Sequence, residues 1–443
     1  MVRAPLNHSK GRQEVEIGLF CANQITSPPT CIMSFAETYQ SFKSRDFLFL
    51  WLGMLTLMFG MNMQMLSRSY LVYELESSGA LLGVVNAGSA IPMLTLALFG
   101  GVIADRLDKK RIIQTGQLMA GLVSLVVGIL ILTGTVSWIH LLIASIVQGA
   151  FFAFLMPARQ ALIPQMVGPK LVSNAVALNA TAMSFTTLAA PTAAGLLYEF
   201  IGPGRVYLII TVLNFASIIF TFFIKTKGPS TRSKNGSESD SNHPKILIKD
   251  MLQGIKYVRS NSFILILLAI ALSTTILAQP FRFIMPIFVV DIYELKADSM
   301  GLLVSVMGLG ALLGSIYIAS VGNRMRGAIL LISSYVSGLS LLLVAAVPVY
   351  LFAAVIMLPL GLGDAGRRSI NQALIMEEAD EEYRGRVMSI YMLNWGLMPL
   401  GVLPAGFMSD WLGVQGSIAI LASLLMIFTI WVTFRYPRVR SHQ

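Results

Sequence analysis

The chain has 443 residues, of which 55% are hydrophobic and only 12% charged, and its mean hydropathy is +0.73. Soluble domains carry about 25% charged residues, so the composition excludes a soluble globular protein and predicts an all-α polytopic membrane protein. The net charge of +10 would suit nucleic acid only if the cations shared one exposed surface. Their positions assign them instead to membrane topology, and no nucleic-acid partner is expected.

Residues 1–44 form a polar tail with no apolar stretch long enough for a signal peptide. Met1 and Met33 are alternative starts. Cys21 and Cys31 lie in this tail, where a cytoplasmic location would keep a disulfide from persisting. Apolar runs then predict twelve membrane spans, at 47–74, 80–104, 111–133, 137–158, 173–200, 205–225, 263–291, 300–322, 327–347, 349–376, 386–411 and 414–435. The first six make a bundle over 45–225 and the last six a bundle over 262–436, joined by a linker at 226–261 and followed by a tail at 437–443. With both termini on one face, that face holds all of the 32 Lys and Arg except Arg68, Arg205, Arg282 and Lys296. The positive-inside rule then places both termini in the cytoplasm, in a multi-pass cell-membrane protein.

The linker opens with the polar run Lys225 to Asn242 and closes with Ile246 to Val258, whose apolar residues recur at helical spacing. Either an amphipathic helix on the membrane surface or a cap packed on the cytoplasmic helix ends fits that spacing. The two bundles repeat each other. An offset of 218 places Gly83 on Gly301, Asp105 on Asn323 and Arg106 on Arg324. An offset of 212 places Gln160-Ala-Leu-Ile on Gln372-Ala-Leu-Ile, and 211 places Gly195, Glu199 and Gly202 on Gly406, Asp410 and Gly413.

Between spans 2 and 3 lies Gly101-Val-Ile-Ala-Asp105-Arg106-Leu-Asp108-Lys109-Lys110-Arg111. A topogenic turn needs the cations but not Asp105, which ends a helix at the pole where the backbone dipole disfavours an anion. This strip resembles the pattern G-x-x-x-D-R-x-G-R-R of the major facilitator superfamily, through Gly101, Asp105, Arg106, Lys109 and Lys110, with Asp108 where the family has Gly. The resemblance covers residues 45 to 436. It implies twelve transmembrane helices in two pseudo-symmetric six-helix bundles, and a secondary active transporter working by alternating access. It also implies a cytoplasmic gate in which Asp105 meets the start of span 11 at Arg384 and Arg386. Ala190-Pro191-Thr-Ala-Ala-Gly195 in span 5 looks like a degenerate form of the exporter pattern G-P-x-x-G-G, with Gly308, Gly310 and Gly314 of span 8 expected opposite Pro191 and Gly195.

Arg68 and Arg282 lie deep in spans 1 and 7. A cation at mid-bilayer costs about 2.5–3.5 kcal/mol on insertion scales, so each faces a cavity or a partner. They hold an anionic or carbonyl-rich substrate or gate the outer side, or else they snorkel to the outer headgroups or pair with Glu74, Glu76 or Asp291. Pro280, after Gln279, kinks span 7 beside the expected cavity. Asn62, Gln64, Asn86, Gln148, Gln279 and Asn394 are the other cavity candidates. Asp364 is the one carboxylate well inside a span; it either carries a proton or pairs with Arg367 or Arg368 one turn away. The Met residues of span 1, from Met54 to Met65, serve packing or line an apolar cavity.

His8, His140, His243 and His442 are scattered, with no metal spacing and no nucleophile–base pair, and no phosphate-binding loop occurs. No enzyme activity, metal or cofactor is expected. The chain reads as a monomeric transporter, with small-molecule substrate, membrane lipids and coupling protons as its partners. The long kinked span 7, the Arg384-Gly385-Arg386 start of span 11 and the degenerate span 5 pattern look most like the bacterial drug and siderophore exporter branch. An importer of a small nutrient, or a non-transporting receptor on the same fold, are the alternatives.

Overall fold

The computed structural model describes residues 40–96, 108–225, 253–321 and 325–441. Gly101, Asp105 and Arg106 lie outside the described residues, as do Cys21, Cys31, Met33, most of the linker, and Asn323 and Arg324.

Among the described residues, ten helices are long and apolar enough to cross a bilayer. The last of them, Arg384–Arg435, is two helices divided at Gly413 (φ 74°, ψ 157°), and Gly168–Ile201 stands beside the ten as a further long helix, which gives twelve. They are α1 (Arg45–Glu76), α2 (Gly79–Leu96), α3 (Lys109–Leu132), α4 (Trp138–Met166), α5 (Gly168–Ile201), α6 (Pro203–Phe222), α7 (Ser262–Ile292), α8 (Ala297–Val321), α9 (Arg326–Ala346), α10 (Tyr350–Glu378), α11 (384–412) and α12 (414–435). The described residues contain no strand.

Side-chain oxygens fix several helix starts by accepting from first-turn amides: Ser44 for α1, Ser78 for α2, Asp108 for α3 and Asn261 for α7. Asp108, read as a departure from the family's Gly, thus acts as the N-cap of α3. The repeated Gly202 and Gly413 make the same turn, with φ 84° and 74°, a conformation that favours glycine.

Span 4 was expected to end at 158, just after Pro157; α4 instead continues through Pro157 and Pro164 to Met166. Interior proline is tolerated in a packed membrane helix, where neighbours satisfy the freed carbonyl. The added turns carry Arg159, assigned by sequence to the cytoplasmic face, into the protein. The kink expected in α7 is a full break: a helix over Ser262–Leu277, a turn at Ala278 and Gln279, a second helix over Pro280–Ile287 and a π turn over Phe288–Ile292.

An even number of crossings puts both ends of the described chain on one face, here called the basic face. One hydrophobic core spans both six-helix halves toward the opposite face, running from Leu66 and Tyr73 through Tyr198 to Ile284, Met300 and Leu421. Toward the basic face the cores separate: Phe47, Ile113 and Leu162 belong to the first half, while Ile264, Leu374 and Val387 belong to the second. Every hydrogen bond recorded between the halves among the described residues follows the same division. Tyr73 donates to Asp291; Ser78, Gly79 and Ala80 donate to Asp410; Thr192 donates to Ser305, which donates to the Leu188 carbonyl; Lys296 donates to Glu199. Among the described residues, the shared core and the hydrogen bonds between the halves lie toward the opposite face, and α2 still meets α11 at Leu94 and Gly396.

Glycine permits that closure. A Cβ on Gly195 would stand 2.4 Å from the Ala297 carbonyl oxygen, and one on Gly301 would stand 2.5 Å from that of Pro191. At the equivalent place, one on Gly406 would stand 2.2 Å from the Gly79 carbonyl oxygen. Of the three α8 glycines expected opposite α5, only Gly308 is there; Gly310 and Gly314 meet Leu358 and Leu362 of α10. The helical period explains this, because Gly301 and Gly308 are seven residues apart and share a face that Gly310 does not.

Residues 253–260 form a helix that packs as a cap on the second half. Tyr257 stacks on Tyr383 at 4.4 Å and 3°, its hydroxyl accepts from the Asp380 amide at 3.1 Å, and Val258 is buried in the core with Leu374.

Candidate functional site

Each half holds a buried polar cluster. In the first half, α1, α2 and α4 bring Gln64, Arg68, Asn86 and Gln148 together. The Arg68 guanidinium donates to Gln148 Oε1 at 3.1 Å and to Asn86 Oδ1 at 3.3 Å, and Gln148 Nε2 donates to Gln64 Oε1 at 3.0 Å. Arg68 is 6% exposed and its Nε has no partner. The outward snorkelling and carboxylate pairing weighed for Arg68 do not occur: Glu74 accepts from Tyr198 and Asp291 from Tyr73, and amide oxygens solvate the guanidinium instead. Asn62 stays out of the cluster, donating to the Met58 carbonyl of its own helix at 2.9 Å.

The second half is more strongly charged. Asp364 Oδ1 accepts from Arg367 Nη2 at 2.5 Å and from Gln279 Nε2 at 2.8 Å, while Oδ2 accepts from Arg368. The spacing of three and four residues puts both arginines on the Asp364 face of α10. Arg367 is buried and also reaches Ser337 Oγ at 3.4 Å, whereas the Arg368 side chain is 38% exposed. A cleft with about 460 Å³ of open space is lined by Thr274, Gln279, Arg367, Arg368, Asn371, Tyr391 and Asn394. The Arg282 guanidinium lies close enough to Arg368 for their charges to interact. Its Nε is buried without a partner, and no side-chain hydrogen bond or ion pair is recorded for it among the described residues. The α7 break at Ala278 and Gln279 lies beside this cleft, which Gln279 lines.

A second cleft, with about 340 Å³ of open space, lies in the first half against Leu57, Met61, Met119, Phe151, Phe152 and Leu155, with Gln148 at its edge. The second-half cleft is therefore cationic and the first-half cleft apolar, with Met61 from α1 and Met119 from α3. Nearer the basic face, Arg159 is 5% exposed and donates to Asn179 Oδ1 at 3.1 Å. Sequence reasoning missed it, along with the cleft positions of Asn371 and Tyr391. The repeat held a signal, since the offset that pairs Gln160 with Gln372 also pairs Arg159 with Asn371.

The gate candidates divide. Lys110 Nζ donates to the carbonyls of Phe222 at 2.9 Å and Ile224 at 2.6 Å, so it caps α6 of its own half. Lys109 opens α3, and Arg384 opens α11. Arg386 lies over the Tyr383 ring at 5.3 Å. Pro191 and Gly195 are at the α5–α8 contact. On the far side, the hydrogen bond from Lys296 to Glu199 holds this ammonium above the ordinary lysine range. Among the described residues no group of His, Cys, Asp and Glu is arranged to hold a metal ion.

The Major Facilitator Superfamily model matches residues 50–399, with a second match over 281–443. The chain belongs to the Major Facilitator Superfamily. Within this superfamily the chain is 23% identical over 402 residues to the staphyloferrin A transporter of Staphylococcus aureus, covering 88% of this chain and 93% of that protein. It is 22% identical over 315 residues to the enterobactin exporter EntS of Citrobacter koseri, covering 70% of this chain and 71% of that one. The fold is similar to that of the nucleoside transporter NupG (TM-score 0.71, 15% identity, 89% of this chain and 100% of that one). It is also similar to a bacterial homologue of the human lysosomal transporter Spinster in an inward-facing, unoccupied conformation (TM-score 0.69, 14% identity, 90% and 99%). The chain is a multi-pass membrane transporter of this superfamily, with siderophore transporters among its relatives.

Proposed function

We propose that this transporter exports a small acidic molecule of the siderophore class across the bacterial cell membrane, by alternating access and in exchange for protons. The observation that carries the reading is the Arg282 guanidinium, whose Nε is buried without a partner and whose charge interacts with that of Arg368. Arg367 and Arg368 share the one carboxylate Asp364, so with Arg282 the second half carries a net positive charge here. A buried cation without a counter-charge is costly, and an acidic substrate would supply that charge.

Positive-inside charge supports a cytoplasmic basic face. An exporter loads from that face and an importer releases to it, so export rests on the likeness to the enterobactin exporter EntS. Cells lacking the protein should accumulate an acidic product and release less of it, and a protonophore should have the same effect on the wild type. Arg282→Gln should reproduce the deletion, while Arg282→Lys should retain partial export because it keeps charge but not the guanidinium fork. Accumulation of a cationic compound, or depletion of a nutrient inside the deletion strain, would overturn the reading.

A further inference from the structure

The internal repeat reappears as a set of bonds between the halves at the face opposite the basic one. Lys296 is 218 positions after Ser78, the offset that relates Gly83 to Gly301, and Asp410 is 211 after Glu199. Lys296 Nζ donates to Glu199, and Ser78 Oγ donates to Asp410 Oδ2 at 3.0 Å. A carboxylate ending α5 thus reaches the start of α8, and a carboxylate ending α11 reaches the start of α2. A third link, Tyr73 to Asp291, joins residues that are themselves 218 apart.

The Asp410 link is the more extensive. Besides Ser78, Oδ1 accepts from the Gly79 amide at 2.6 Å and Oδ2 from the Ala80 amide at 3.0 Å. These are first-turn amides, which lack acceptors inside their own helix. α2 does not depend on them to start, because Ser78 already caps it by accepting from the Leu81 amide at 3.3 Å. The carboxylate comes from the other half, so it stabilises α2 only while the two halves touch at this end. Glu199 and Lys296 make a single ion pair with a 70% exposed lysine, a type of contact that contributes little in water.

We propose that Glu199, Asp291 and Asp410 form a clasp with the symmetry of the repeat, positioning residues that hold the transporter shut at this face, and that Asp410 dominates it. The clasp contacts no substrate and acts whichever molecule is carried. At the basic face the sequence expects Asp105, at the end of span 2, to meet the start of span 11. Here the same two helices exchange roles, with α11 supplying the carboxylate and α2 the helix start.

The test uses full-length protein in nanodiscs, with Cys21→Ser and Cys31→Ser and one buried reporter thiol, read by its rate of reaction with a maleimide. Each carboxylate is probed at the distant link, so that only separation of the halves registers. Asp410→Ala should raise labelling of Ala297→Cys about fivefold, the effect of losing a helix cap. Glu199→Gln should raise labelling of Ser409→Cys about twofold. Asp410→Asn keeps the shape and one acceptor oxygen and should give an intermediate rise at Ala297→Cys; it carries the test if the alanine variant does not fold. Unchanged labelling at the distant reporter in folded Asp410 variants would reduce the contact to a local cap and overturn the clasp. Neither reporter needs substrate, so failure of the export assay leaves this result standing, and the reverse holds too.

Discussion

At the residue scale, Asp364 separates two roles that the sequence left open. It is held by two guanidiniums and an amide, with Arg367 buried behind it. Removing one partner of a buried ion pair strands the other at about 3–5 kcal/mol. Asp364→Asn should therefore lower the melting temperature of the purified transporter markedly, and adding Arg367→Gln should restore part of the loss. A variant of wild-type stability whose flux no longer follows the proton gradient would instead make Asp364 the coupling acid. Much of this site was legible, because a polar side chain inside an apolar run has few places to go: Gln64, Arg68, Asn86 and Gln148 do meet. Which of the alternatives held was not legible. Arg68 found amides rather than carboxylates, since its partner depends on how α2 and α4 turn toward it, and that rotation has no local signature. Arg159 was hidden by Pro157, which marks a helix end in water but not in a packed membrane bundle.

At the element scale, the contact of α5 with α8 and that of α2 with α11 rest on backbone meeting backbone. A Cβ at 2.5 Å from a carbonyl oxygen has no flexible neighbour to displace, so Gly301→Ala should push α8 from α5 at the cost of overpacking, about 1–3 kcal/mol. Accessibility of the α5–α8 contact to a maleimide should rise. Gly385→Ala, where nothing lies within 4 Å, should leave it unchanged. The sequence identified small residues as the means of approach but assigned Gly310 and Gly314 to the wrong neighbour. Spacing gives the face of a helix; the partner of each face depends on the arrangement of the bundle. The α7 break had a clear sequence cause in Pro280, whereas the π turn after Ile287 had none.

At the scale of the whole molecule, the twelve crossings were readable because apolar length against a bilayer is a one-dimensional measurement, and the two halves because the offsets near 211 to 218 recur in chain order. The closed end was not readable. Both states use the same helices and differ in which ends share a core, a balance of a few kcal/mol between extended surfaces. At the basic face the resemblance still makes a prediction: Asp105→Asn should abolish export while protein yield and membrane insertion stay normal. Normal export would reduce the strip to a topogenic turn.

The bond from Tyr73 to Asp291 has a consequence for how such a chain is built. In an association of two identical six-helix chains, a position lying on the symmetry axis meets its own copy. A carboxylate there would face a second carboxylate, and a phenol a second phenol. Carrying both copies in one polypeptide lifts that constraint, and the two positions have become unlike, one a donor and the other an acceptor. Tyr73 and Asp291 make a hydrogen bond that two identical six-helix chains could not make at that shared position.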